Sequence, residues 1–105
     1  MADAGRDIDQ VELDEDELRG HLKTGVISAA MIKDKALWDG RVVVRRNAAL
    51  ATALMEDIPA PLADLLPVVS RDGDAVVRRY VSRALGHAAL DPARAYGSLL
   101  SLALD

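Results

Sequence analysis

The stretch LLPVVSRDGDAVVRRYVSRALGHAA, residues 65–89, decides the fold that the sequence predicts. Apolar residues lie on both sides of a polar centre, and after that centre they recur at the spacing of one helix face. Asp72-Gly73-Asp74 is a turn signal, in which Gly73 can take a positive φ and Asp74 is a good N-cap. The stretch therefore predicts a helix, a tight polar turn and a second helix, with Pro67 kinking the first helix.

A fainter copy of this pattern lies earlier in the chain. The sequence VVRR occurs at residues 43–46 and again at residues 76–79, and Asp39-Gly40 corresponds to Asp72-Gly73 at the same spacing. A fixed period in the low thirties that carries two helices is typical of α-solenoids. The shared spacing therefore predicts two stacked helical hairpins.

The repeated pattern resembles the HEAT or HEAT-like helical repeat. The residues that carry the resemblance in the second copy are Leu65, Leu66, Pro67, Asp72, Asp74, Val77, Arg78, Val81, Ala84, Leu85 and Gly86. The first copy keeps Asp39, Val44, Arg45, Ala48 and Ala51. It departs from the pattern at Asp34, where the second copy has proline, and at Thr52, where the second copy has leucine.

The resemblance implies structural roles for two arginines. It implies that Arg45 pairs with Asp39, and that Arg78 pairs with Asp72 or Asp74. Charge pairs at helix starts are common, and they are weak signs of function.

We therefore expect an all-α fold, a short right-handed α-solenoid of antiparallel helix hairpins. Repeats are expected at about residues 25–57 and 58–91, with an N-terminal capping helix and an unpaired C-terminal helix at residues 92–105. Residues 1–10 are expected to be a flexible acidic arm, and residues 11–105 to form a single domain. The composition agrees with this expectation, because the chain is rich in alanine and contains no phenylalanine.

Charge is distributed unevenly along the chain. Residues 1–17 hold eight acidic residues and one basic residue, whereas the remaining chain is mildly basic. The sequence leaves open whether this acidic segment is solvated or contacts a basic face of its own chain or of a partner. Asp14 and Glu17 have the spacing of a capping box, which predicts a helix from about residue 14 to Gly25.

Helices are also expected at residues 26–37 and 41–55, joined by the Trp38-Asp39-Gly40 turn. We expect Trp38 to be a buried anchor under the turn, with a role in binding as the alternative. The leucines of the C-terminal helix are distributed around nearly its whole circumference, so some of them would be exposed to solvent unless another surface covers them. This helix can fold back on the N-terminal segment, self-associate or dock a partner.

The sequence offers little catalytic chemistry, and we expect neither an enzyme nor a bound cofactor or metal. There is no cysteine, and the two histidines, His21 and His87, lie far apart in the chain, with no second histidine at helical spacing from either. No glycine-rich phosphate loop is present. The start of the chain lacks the pattern of a signal peptide, and no apolar run reaches the length of a membrane span, so a cytoplasmic location is expected.

Two surfaces are candidates for partner binding. The first is an arginine–tyrosine strip on the second helices of the hairpins, and the second is a leucine patch on the last helix. The candidate residues are Arg46, Arg79, Tyr80, Arg83 and His87 for the strip, and Leu99, Leu100 and Leu104 for the patch.

These surfaces predict a non-enzymatic protein–protein interaction module or adaptor, which binds a protein partner or self-associates. One alternative is an accessory or regulatory subunit of a lyase-type enzyme, because HEAT-like repeats occur in bilin lyases. Another is a weak nucleic-acid-binding protein, because some HEAT-like glycosylases bind DNA. The weak basicity of the chain disfavours nucleic acid as a partner.

Overall fold

The computed structural model describes residues 8–89, and this part of the chain is helical with no strand. The all-α prediction is confirmed for it. The helix predicted over residues 92–105 lies outside the described residues. In chain order the helices are α1 (Glu15–Thr24), α2 (Ala29–Asp34), a 3-10 helix (Ala36–Trp38), α3 (Val42–Leu54), α4 (Ala60–Ala63), α5 (Leu66–Val69) and α6 (Ala75–Ala89).

Helix α1 begins and ends at the predicted signals. The Asp14 side chain accepts a hydrogen bond from the Glu17 backbone N–H at 2.8 Å, and the Glu17 side chain accepts one from the Asp14 backbone N–H at 3.3 Å. This is the predicted capping box. Gly25 ends the helix in the left-handed region with φ at 83°. Leu18 is fully buried, so α1 contributes to the core.

The first hairpin has a shorter first helix than expected. Ser28 caps α2, and its side chain accepts a hydrogen bond from the Met31 backbone N–H at 3.2 Å. The chain leaves α-helical geometry at Lys35 and continues as the 3-10 helix. The helix predicted over residues 26–37 is therefore divided into two short elements.

The prediction that Trp38 is a buried anchor is wrong. Trp38 is 49% exposed, and its Nε1–H donates to the backbone carbonyl of Lys33 at 2.7 Å. The two residues before it, Ala36 and Leu37, are both buried. Because the indole N–H finds its acceptor at the surface, the ring can remain there.

Pro67 divides a helix instead of kinking it. The structure has α4 and α5 in place of one bent helix, and Pro67 lies in the first turn of α5. A proline is well tolerated there, because the N–H that it lacks would have no partner within the helix. Pro61 occupies the same kind of position in α4, as predicted.

The turn before α6 does not use a left-handed glycine. Within residues 8–89 only Gly25 has a positive φ, so the expectation for Gly73 is wrong. The turn is closed by carboxylates instead. Asp72 accepts from the Asp74 backbone N–H at 2.9 Å, and Asp74 accepts from the Val77 backbone N–H at 3.0 Å. Asp74 therefore caps α6 as predicted.

Helix α3 lies at the centre of the fold. It contacts α1, α2, the 3-10 helix and, most extensively, α6. Its buried side chains are mostly small, which lets neighbouring helices approach closely. Of the apolar face predicted for α6, Val77, Val81, Ala84 and Ala88 are buried, whereas Leu85 is only partly buried against the core.

Asn47 is a buried polar residue for which the sequence predicted no structural role. It is 2% exposed, and its Oδ1 accepts from the Leu13 backbone N–H at 2.9 Å. Its Nδ2 donates to the backbone carbonyls of Ile8 and Val11, both at 2.8 Å. One α3 side chain thus binds the backbone of residues 8–13 and fixes the N-terminal segment on the core.

We predict that Asn47→Ala lowers the free energy of unfolding by about 3 kcal/mol, because the buried Leu13 N–H and the part-buried carbonyls of Ile8 and Val11 lose the Asn47 side chain as a partner. Urea unfolding followed by circular dichroism measures the loss. Gln10→Ala removes an exposed amide and is the matched control, for which we expect a change within about 0.5 kcal/mol. An equally small change for Asn47→Ala would contradict the role given to Asn47.

Candidate protein-binding surface

Two arginines of α3 bind the two aspartates of the turn before α6. Arg45 donates to the Asp72 carboxylate through Nε at 2.8 Å and Nη2 at 3.3 Å. Arg46 donates to the Asp74 carboxylate through Nε at 2.9 Å and Nη2 at 2.8 Å. We call these pairs the arginine forks. Each pair is bidentate, a geometry that fixes orientation as well as distance.

A further contact occurs once in each copy of the repeated sequence. Arg45 Nη1 donates to the backbone carbonyl of Asp39 at 2.9 Å, and Arg78 Nη1 donates to that of Asp72 at 2.8 Å. Each arginine lies six residues after the residue whose carbonyl it binds. The two pairs are separated by the same number of residues as the two VVRR sequences. Equivalent residues in the two copies therefore make equivalent bonds.

The pairing implied by the family resemblance is made with backbone carbonyls, not with carboxylates. The Asp39 carboxylate binds Arg41, which donates through Nε at 3.0 Å and Nη2 at 2.9 Å. These hydrogen bonds lower the pKa of Asp39 to about 2. The carboxylate that Arg45 binds is that of Asp72, in the turn before α6.

The acidic segment contacts a basic face of its own chain. Asp9 pairs with Arg41 at 3.3 Å, Glu12 with Arg46 at 3.1 Å and Glu15 with Arg83 at 3.0 Å. Every third residue of this segment is thus an acid that meets an arginine. These pairs are largely exposed, so they position the segment more than they stabilise the fold.

The structure gives the predicted strip residues different environments. Arg46 binds Asp74 and Glu12, and Arg83 binds Glu15. The His87 Nε2 atom lies 3.0 Å from the backbone carbonyl oxygen of Glu56.

The other two strip residues differ from these and from each other. Tyr80 is half-buried against the core. Arg79 is exposed, and no ion pair joins it to another residue of the described part. The predicted patch of Leu99, Leu100 and Leu104 lies outside the described residues. Arg79 is therefore the strip residue best placed to meet a partner.

Two shallow depressions lie on the same molecule. The larger, about 620 Å³, lies between the C-terminal ends of α1 and α3 and is lined by Leu22, Lys23, Leu54 and Glu56 among others. The smaller, about 340 Å³, is lined by Ile8, Met31 and Arg41 among others. Both combine apolar and charged walls. In the part of the chain that the structure describes, no group of acidic or histidine side chains has the arrangement of a metal site.

Comparison with known proteins assigns no relative: no protein-family model, no curated protein and no solved structure matches the chain. Among the described helices, none combines the length and hydropathy that a bilayer crossing needs.

Electrostatics make the second fork sensitive to acid. The hydrogen bonds from Arg46 lower the pKa of Asp74 below its ordinary value of 3.8, and the backbone N–H of Val77 lowers it further. Because the folded-state pKa is lowered, the ionised carboxylate stabilises the fold above its ordinary pKa. That stabilisation is lost as the pH falls below it.

We predict that the difference in Tm between the wild type and Asp74→Asn is constant above about pH 5 and shrinks as the pH falls below about 4. Asparagine can still cap α6, so the variant tests the charge. Thermal unfolding followed by circular dichroism across this pH range measures the difference. The exposed Asp57→Asn is the control. A difference between wild type and Asp74→Asn that does not change with pH would contradict the assignment.

Proposed function

We propose that the chain is a short HEAT-like α-solenoid that acts as a non-enzymatic protein–protein interaction module. The repeated bond from Arg45 and Arg78 to the backbone of the preceding turn is the observation that carries this proposal. It supports a repeat in three dimensions, because equivalent residues in the two copies have equivalent partners.

The packing of the helices supports the same proposal. Helix α2 contacts α4, and α3 contacts α6. The first helix of one predicted hairpin therefore packs on the first helix of the other, and the second helix packs on the second. This is the arrangement expected of two hairpins stacked side by side. The α1 helix packs on α3, which is consistent with a capping role.

The charged surface favours a protein over a nucleic acid as the partner. Phosphate binding requires arginines whose charge is available to the backbone of the nucleic acid. Arg41, Arg46 and Arg83 are each bound to a carboxylate of their own chain. An exposed arginine beside a half-buried tyrosine is a combination enriched at protein interfaces.

We predict that the immobilised chain retains a specific protein from a nuclease-treated extract of its source cells. Retention should change little between about 50 and about 200 mM salt, whereas phosphate binding weakens steeply over that range. Mass spectrometry identifies the retained protein, and calorimetry with the purified partner checks for a defined stoichiometry.

An unrelated helical protein of similar charge is the control. Retention that occurs only in a parallel extract prepared without nuclease would contradict the proposal. Retention of the same proteins by the control would contradict it as well.

A further inference from the structure

The face of α3 that meets the second hairpin has a counterpart on α6 that no described residue covers. On α3 this face combines the two arginines of the forks with two small residues, Ala49 and Ala53, which are 0% and 6% exposed. Arg46, Ala49 and Ala53 are three and four residues apart, so they share one side of the helix. The arginines at its start bind the turn before α6, and α6 is the helix that α3 contacts most extensively.

The shift that superimposes the two VVRR sequences gives the equivalent positions on α6, namely Arg78, Arg79, Ser82 and Gly86. All four are exposed. We call them the outer face of α6. A Cβ atom added at Gly86 would meet nothing within 4 Å, so the space beside this face is open. The first copy of the face is thus covered, whereas the described part of the chain leaves the second copy exposed.

We propose that the outer face of α6 docks a partner protein through a turn of the form Asp-x-Asp that opens a helix. This inference rests on the proposed function and specifies the chemistry of the partner. Arg79 would bind the second aspartate, as Arg46 binds Asp74, and Arg78 would bind the first, as Arg45 binds Asp72. Ser82 and Gly86 leave room for the helix that follows.

Charge complementarity selects an acidic turn as the occupant. Arg79 is exposed, and no described residue forms an ion pair with it. Arg78 already donates one N–H to the Asp72 backbone carbonyl, as Arg45 does to Asp39. In Arg45 the same guanidinium also binds a carboxylate. Arg78 therefore shares with Arg45 the Nη1 bond to the preceding turn, beside which Arg45 binds an aspartate through Nε and Nη2.

A second copy of the chain does not present a free turn of this kind among its described residues. Asp72 and Asp74 are bound by Arg45 and Arg46. The equivalent acids before α1 are Glu12, which pairs with Arg46, and Asp14, which caps α1. The occupant is therefore assigned to a partner protein.

The probe for this site is a fluorescent peptide with the sequence of residues 70–89, stapled between positions 82 and 86 to hold it helical. It carries the aspartate turn that the α3 arginines already bind. Its binding to the full chain is measured by fluorescence anisotropy. The protein variant is Arg79→Glu, and the control is Lys23→Glu, an exposed residue of α1 that gives the same change in net charge. Circular dichroism confirms that each variant is folded.

We expect Arg79→Glu to weaken peptide binding by about tenfold or more, and Lys23→Glu to leave it unchanged. A peptide with both aspartates replaced by asparagine should bind the wild type about tenfold less tightly. This asparagine peptide should bind Arg79→Glu almost as well as it binds the wild type, because it lacks the carboxylates that Arg79 would bind.

Three results would overturn the inference: equal peptide binding by Arg79→Glu and Lys23→Glu, equal binding of the aspartate and asparagine peptides, or an Arg79-dependent dimer of the chain alone in sedimentation. Arg79→Glu also separates this inference from the proposed function. If the variant still retains the protein that the wild type captures, the interaction function stands and the α6 site is wrong. If the peptide binds through Arg79 but no protein is captured, the site stands and the proposed function fails.

Discussion

The two arginine forks between α3 and the turn before α6 are the contact on which the arrangement of these two helices depends. Asp74 accepts from Arg46 and also from the Val77 backbone N–H, so one carboxylate starts α6 and joins it to α3. The Asp72 carboxylate likewise accepts from Arg45 and from the Asp74 backbone N–H, so it closes the turn and joins it to α3. Local structure and tertiary contact therefore share the same side chains, and the start of α6 is fixed relative to α3.

Apolar burial and the forks have different roles in this fold. The small buried residues of α3 and the valines of α6 remove apolar surface from water, which supplies the main stabilisation. Such a surface of alanines and valines does not by itself define how far one helix slides along another. The bidentate pairs at one end define it, because carboxylate and guanidinium fit in few orientations. The outer face of α6 carries the same arginine pair, and this is the physical basis for expecting it to bind an acidic turn.

Short-range signals in the sequence predicted well those features that short-range physics controls. The capping box at Asp14, the left-handed Gly25 and the buried face of α6 follow from spacing and local hydrogen bonding. The misplaced features have another origin. Trp38 is exposed because the Lys33 carbonyl lies within reach of its N–H at the surface. The turn at Gly73 is closed by carboxylates, so it needs no positive φ.

The pairing of the predicted site residues depends on contacts between distant parts of the chain. Glu12 and Arg46 are 34 residues apart, and Glu15 and Arg83 are 68 residues apart. No local pattern identifies such partners. The repeat did carry information, since the copy of Arg46 at Arg79 could be located from the spacing of the two VVRR sequences. Arg46 is bound because the turn before α6 lies against α3, whereas no described residue pairs with Arg79.

A double-mutant cycle across the second fork tests the role of the forks most directly. It compares Arg46→Met, which keeps the aliphatic stem, with Asp74→Asn, which keeps the helix cap, and with both together. Urea unfolding gives the free energy of unfolding of all four proteins. If the fork joins the hairpins, the double variant loses clearly less than the two single losses combined. Strictly additive losses would show that Arg46 and Asp74 act independently, which would contradict the assignment.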